Sequence, residues 1–196
     1  MLLRNLCLLL CGFLFACNDA GVPKPRGYFQ IEFPEKSYRV FDEPGYPYTF
    51  EYPVYGTVVK DSTFFDDKPE NPWWVNVDFP GFRAKIYISY KPVGGANQLE
   101  LLVADAFEMT SKHTVKATSI DEIPVKGGPG VQGFVFDVGG NAATGKQFFV
   151  TDSVQHFLRG ALYFDATPNY DSIQPAEQFL YKDMQRMIQT LRWRNR

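Results

Sequence analysis

"WWVNVDFPGFRAKIYISYK", residues 73–91, is the stretch whose reading decides the fold. Residues 73–79 and 82–91 read as strands. In the second, Ala84, Ile86 and Ile88 face one way while Lys85, Tyr87 and Ser89 face the other, the two-residue period of a half-buried strand. Pro80-Gly81 between them is a turn signal, so the pair forms a hairpin.

Upstream, "YFQIEF" (28–33), "PYTFEY" (47–52) and "YGTVVK" (55–60) also read as strands, and "DSTFFDDKPENP" (61–72) reads as an acidic, proline-bounded loop. Downstream, Gly94 and Gly95 close the first half, and residues 97–118 have helical periodicity. There Asn97 is the expected N-cap, with Glu100 three residues on. Leu99, Leu102, Ala106, Met109 and His113 form the apolar stripe, and Glu108 and Lys112 stand at the favourable i,i+4 spacing on the opposite face. Three more strands are expected at 132–138, 146–154 and 156–164. A last helix opens near Ser172 and Pro175, with Ala176, Leu180, Met184, Met187, Ile188 and Leu191 as its stripe and Arg192, Arg194 and Arg196 at its negative end. Strands, helix, strands, helix with hairpin-length connections predict an α+β fold, an antiparallel sheet with two packed helices. By analogy, the order is similar to that of the Mog1/PsbP-like α/β/α sandwich.

The front of the chain reads as a processing signal. Leu6 to Phe15 is an apolar run broken only by Gly12, after a basic start at Arg4. It is too short to span a bilayer, which takes about 20 apolar residues, and fits the apolar part of a secretory signal, roughly 7 to 15 residues long. Leu14-Phe15-Ala16-Cys17 resembles a bacterial lipobox, in which the cysteine thiol accepts a diacylglyceryl group. The three cysteines are Cys7, Cys11 and Cys17, so nothing downstream can pair with Cys17 in a disulfide. The rival reading is an ordinary secretory signal with a coincidental cysteine. The expected organisation is a signal peptide at 1–16, lipidated Cys17 with a Pro-containing tether to residue 27, and a single α+β domain at 28–196. Several acyl chains would hold the mature protein at a membrane, since each buried methylene adds about 0.8 kcal/mol.

Charge and motifs exclude other classes. Twenty basic residues against 22 acidic give a net charge of −2, which argues against nucleic acid as a partner. "GNAATGKQ" (140–147) nearly matches a P-loop, but Gln147 stands where a Ser or Thr should bind magnesium. The following "FFVTDSV" reads as strand rather than helix, so the segment is expected to be a turn. His113 and His156 are the only histidines, too few for a structural zinc site, and Asp66 and Asp67 lack the spacing of a calcium loop. Asp152, Ser153 and His156 stand too close along the chain to converge on one substrate atom. No cofactor is implied and no catalysis is expected.

"PKPRGYFQIEFPEKSY" (23–38), "WVNVDFPGFRAKIYISYKPV" (74–93) and "SKHTVKA" (111–117) resemble segments of the gliding-motility lipoprotein family GldD. With the lipobox and the helical C-terminus, the resemblance covers most of the mature chain. It implies a lipoprotein of the cell envelope, at the outer membrane facing the periplasm. Such a protein is needed for gliding and for the linked type IX secretion machinery, with other envelope proteins as partners and no catalytic residues to carry over. Within the matching segments, Arg26, Gly27, Tyr28, Lys112, His113 and Lys116 are candidates for a partner-docking patch, Arg and Tyr being enriched at hot spots. The plainer alternative is that they fix the tether to the domain. The expected function is therefore assembly or stabilisation of an envelope complex. The runner-up is a binding module for a glycan or lipid, built on an aromatic pocket near Trp73 and Trp74.

Overall fold

A computed structural model describes residues 31–61 and 69–194. The central hairpin is there: β4 (Val75–Phe79) and β5 (Ala84–Pro92) pair antiparallel with Val77 opposite Ile86. Pro80–Phe82 form the expected turn as one 3-10 turn, closed by Arg83 in the left-handed region at φ 47°. The other strands are β1 (Tyr38–Phe41), β2 (Tyr48–Pro53), β3 (Thr57–Lys60), β6 (Ala117–Lys126), β7 (Gln132–Gly140), β8 (Lys146–Thr151), β9 (His156–Phe164) and β10 (Arg192–Trp193). The helices are α1 (Leu99–Ser111) and α2 (Tyr170–Thr190). Among the described residues, seven strands form an antiparallel sheet in the order β3-β4-β5-β9-β8-β7-β6, and β1, β2 and β10 form a smaller one.

Strand alternation assigns each helix a face of the large sheet. Val135, Phe148, Val150, Leu158 and Leu162 pack with Leu180, Met184, Met187 and Ile188 of α2, together with Phe41, Tyr48 and Phe50 of the small sheet. Their strand neighbours Phe136, Phe149 and Phe157 pack instead with Leu102 and Ala106 of α1. Adjacent strand residues point to opposite faces, so α1 covers one face and α2 with the small sheet covers the other. Burying a side chain such as Leu180 or Ile188 stabilises the fold by about 1.5–3 kcal/mol. This is the expected α+β class, with a helix on each side of an antiparallel sheet.

Several details differ from the sequence reading. Ile31 to Phe33, expected to end a first strand, carry no strand pairing, and residues 28–30 lie outside the described residues. Three strands were not anticipated: β1, β6 and the two-residue β10, where the last helix was expected to continue. β1 is four residues long, and β6 is exposed along most of its length, so neither offers an apolar alternation. Helix α1 starts two residues late. Asn97 is held in a backbone bridge to Gly94, and Gln98 takes the cap position without a side-chain bond. It also ends early, tightening into a 3-10 turn at Lys112–Val115, where Thr114 and Val115 are β-branched and disfavour further helix. Helix α2 is capped by Asn169, whose Oδ1 accepts from the Ser172 amide at 3.4 Å. Pro175 is its sixth residue, past the first turn where it was expected.

Candidate functional site

On the α1 face, strands β4, β5, β9 and β8 carry polar residues at positions that alternation alone would turn to solvent. One row across the sheet runs Asn76, Tyr87, Ala161, Gln147, and the next runs through Ser89, Arg159 and Phe149. Asn76 and Gln147 are buried, and Arg159 is half-buried. Arg159 Nη2 donates to Gln147 Oε1 at 2.6 Å. With its Oε1 so engaged, the Gln147 amide leaves Nε2 without a hydrogen-bond partner, and Asn76 Oδ1 is likewise unbonded. Burial pushes the Arg159 guanidinium down. It also pushes the His113 imidazole down, and the nearby Arg159 charge adds to that. Beside Arg159, between α1 and the sheet, lies a cavity of about 140 Å³ lined by Trp74, Leu102, Ala106, Met109 and Phe157.

The α2 face holds charge differently. Asp183 Oδ1 accepts from Lys36 Nζ at 2.6 Å and from the Tyr38 hydroxyl at 2.9 Å, and its Oδ2 accepts from the Tyr55 hydroxyl. Lys36 Nζ also lies 3.6 Å from the Phe179 ring centre and donates to the Phe179 carbonyl. Burial, then the bond to Asp183, pushes the Tyr38 phenol up to about 12 and Tyr55 further. Burial pushes the Lys36 ammonium down against the opposing pull of Asp183. Further along α2, Lys146 pairs with Asp137 and stands 3.7 Å from Glu177. Burial raises the Glu177 carboxyl, with Lys146 opposing. These groups satisfy one another.

The P-loop-like segment is the turn that its context predicted. Lys146 opens β8 and points inward to its two carboxylates, and a side chain at Gly145 would collide with the Glu177 carboxylate. That glycine serves the approach of α2. Asp152 and His156 do not form a dyad. Asp152 Oδ1 accepts from the amides of Val154, Gln155 and His156, at 2.8–2.9 Å, closing the β8–β9 turn. The His156 ring bonds the Tyr90 hydroxyl through Nδ1 at 2.8 Å and stacks on Trp193.

Among the candidate patch residues, Lys112 and Lys116 are exposed and His113 is half-buried, all three on the turn after α1. Lys112 Nζ lies 3.3 Å from Glu108, the expected i,i+4 pair. Cys17, Arg26, Gly27, Tyr28, Asp66 and Asp67 lie outside the described residues. The two tryptophans do not share a pocket: Trp74 lines the α1 cavity, while Trp73 packs against Tyr90 and donates to the Gly45 carbonyl. Sequence reasoning missed Arg159 and Gln147. Arg159 sits alone among mostly apolar residues in "HFLRGALYF", but such an arginine reads as the outward residue of a strand.

The architecture defines an α+β sandwich whose antiparallel sheet carries a helix on each face. A solution structure of cyanobacterial PsbP from Synechocystis sp. PCC 6803 is similar, with a TM-score of 0.47 and 9% identity, covering 87% of this chain and 98% of that one. The chain belongs to the gliding motility lipoprotein GldD family, whose model matches residues 18–193. No curated protein sequence matches it.

Proposed function

We propose that this protein is a non-catalytic component of the envelope machinery for gliding and the linked type IX secretion. It is anchored through lipid on Cys17 and acts in assembly or stabilisation of that complex. The observation that carries the reading is the family match, which begins at residue 18, directly after the lipobox cysteine. On this reading the lipid holds the protein in the cell envelope, and its site of action is the outer membrane on the periplasmic side. Lys112, His113 and Lys116 serve to dock an envelope protein, and Arg26, Gly27 and Tyr28 are separate candidates for the same role.

Metabolic labelling with a fatty-acid analogue tests the reading, comparing wild type with Cys17→Ala in a gliding host and scoring spreading. The expected result is loss of label together with loss of spreading. Label lost with spreading intact would show that the domain works without its tether. Label retained would remove Cys17 as the lipid site.

A further inference from the structure

We infer that the α1 face holds a binding site for a small apolar carboxylate. Its carboxylate would be held by Arg159, which Gln147 orients, and its apolar part would lie in the cavity under α1. This goes beyond the assembly role and does not depend on it.

The chemistry of the donors selects the ligand. A guanidinium carries five N–H donors and no acceptor. Among the described residues, Arg159 has one hydrogen-bond partner, the neutral Gln147 Oε1, and no carboxylate within ion-pair distance. A charge taken out of water is unfavourable unless it is paired. Gln147, fully buried, accepts one of these N–H groups and so fixes the guanidinium at the cavity wall. The guanidinium's remaining donors have no matching acceptor among the described residues, an arrangement that suits an anion. A carboxylate fits the guanidinium fork with two parallel hydrogen bonds.

The acids nearby do not fill this role. Glu70 is held by Lys91 at 2.7 Å, and Asp105 is exposed on α1 and makes no ion pair with Arg159 among the described residues. Two further titratable groups stand near Arg159: His113, whose imidazole burial pushes down toward the neutral ring, and Tyr163, whose phenol burial pushes up so that it stays neutral.

The cavity sets the size and character of the remainder. Its volume of about 140 Å³ is close to that of an engineered apolar cavity elsewhere that admits benzene, roughly 150 Å³. Trp74, Leu102, Ala106, Met109 and Phe157 offer an apolar lining. Glu70, Ser89, Lys91, Asp105 and Arg159 form its polar edge, and a long acyl chain would not fit. The matching ligand is a carboxylate on one benzene-sized apolar group. It can come from a free acid or from the C-terminus of a peptide ending in an aromatic or large aliphatic residue.

The test titrates the full-length, detergent-solubilised protein with benzoate and follows the Trp74 indole N–H in nitrogen–proton correlation spectra. Benzamide serves as the neutral isostere. The expected result is a saturable shift with benzoate and at least tenfold weaker binding of benzamide. N-acetylphenylalanine, compared with its amide, mimics a peptide terminus. Binding tighter than benzoate would assign the site to a chain end, and weaker binding to a free acid; either supports the site. Arg159→Met should lower benzoate affinity at least tenfold. Gln147→Glu supplies Arg159 with an internal carboxylate, so it should keep the fold and also block benzoate. Equal binding of benzoate and benzamide, or no saturable shift with benzoate, overturns the proposal even if neither variant folds.

Discussion

The two faces of the seven-stranded sheet are built from the same strands but treat charge in opposite ways. Toward α2, Asp183 meets Lys36 and two tyrosine hydroxyls, and Lys146 meets Asp137 and Glu177. Toward α1, Arg159 has the neutral Gln147 as its hydrogen-bond partner and the Tyr163 phenol nearby, with no carboxylate in ion-pair reach among the described residues. Removing one member of a paired buried set leaves the others uncompensated, so such sets tie the structure together. A half-buried cation with only a neutral partner among the described residues ties little together and leaves donors open. The comparison separates a structural face from a face with binding capacity, and mutations can break it.

The largest effect is expected at Asp183, whose side chain is only 1% exposed. Asp183→Ala strands the Lys36 ammonium and two phenols, so unfolding free energy should fall by about 3–5 kcal/mol, measured by urea denaturation. A loss below about 1 kcal/mol would mean that water replaces the carboxylate, and the α2 face would lose its structural reading. Lys36 and Tyr38 lie at the end of the segment 23–38 that carries the family resemblance, so the same network fastens residues 36–38 to α2.

Lys146→Met comes next, at about 2–3 kcal/mol near neutral pH. The effect is smaller because the Asp137 side chain is 36% exposed and keeps much of its hydration. Its pH dependence has a definite sign. The Glu177 carboxyl is already raised above its ordinary 4.5 by burial, and loss of Lys146 removes the main opposing influence. Above pH 4.5 the native variant therefore holds a proton that the unfolded chain has released, and stability falls as pH rises toward the native pKa. Denaturation at pH 5 and pH 7 should show the deficit growing with pH.

What the sequence revealed follows the same division. The β4–β5 hairpin was legible because Ala84, Ile86 and Ile88 bury against α2 while Lys85 and Tyr87 are only half-buried, so local alternation carries the whole signal. Strand β6 was illegible because it lies at the sheet edge with both faces largely exposed, leaving Ile120 and Ile123 without a periodic context. Asn97 looked like a cap, but its backbone is committed to Gly94, a choice made by the Gly94-Gly95 turn rather than by the helix. Lys146 looked like a phosphate-binding lysine until Asp137 and Glu177 were brought to it. Glu177 comes from a helix 31 residues away in the chain. Arg159 could not be singled out, because an arginine between Leu158 and Gly160 reads as the outward residue of a strand. Only the placement of α1 over that face half-buries it.

A third kind of charge tests whether partner type governs stability. Asp152 is satisfied by backbone amides alone. Burial would raise its carboxyl, but the three amides outweigh this and hold it below its ordinary 3.8. Asp152→Asn should lose about 1–2 kcal/mol at neutral pH, since hydrogen bonds to a charged acceptor become bonds to a neutral one. A carboxylate with a depressed pKa stabilises the fold above its unfolded value and loses that contribution as pH falls through the folded value. The gap between wild type and variant should therefore stay constant from pH 8 to about 5 and close below pH 3.8. A gap that persists at pH 2 would mean that the turn depends on the shape of the side chain, not on its charge.

The smallest change is expected on the α1 face, and it decides the comparison. Arg159→Met with Gln147→Leu removes a desolvated cation, its single neutral partner and an unbonded amide together. Replacing both members of a hydrogen-bonded pair by apolar groups of similar size is close to neutral, and removing an unpaired buried charge acts in the stabilising direction. The double variant should lie within about 1 kcal/mol of wild type, on the more stable side, by urea denaturation. Arg159→Met alone should be slightly worse than the double, because Gln147 Oε1 then loses its donor. If the double variant instead loses 3 kcal/mol or more, comparable to Asp183→Ala, Arg159 is part of the scaffold and the two faces do the same work. If it holds its stability while benzoate binding is gone, the open guanidinium contributes to recognition and not to folding, and its burial under α1 is a cost that only a ligand offsets.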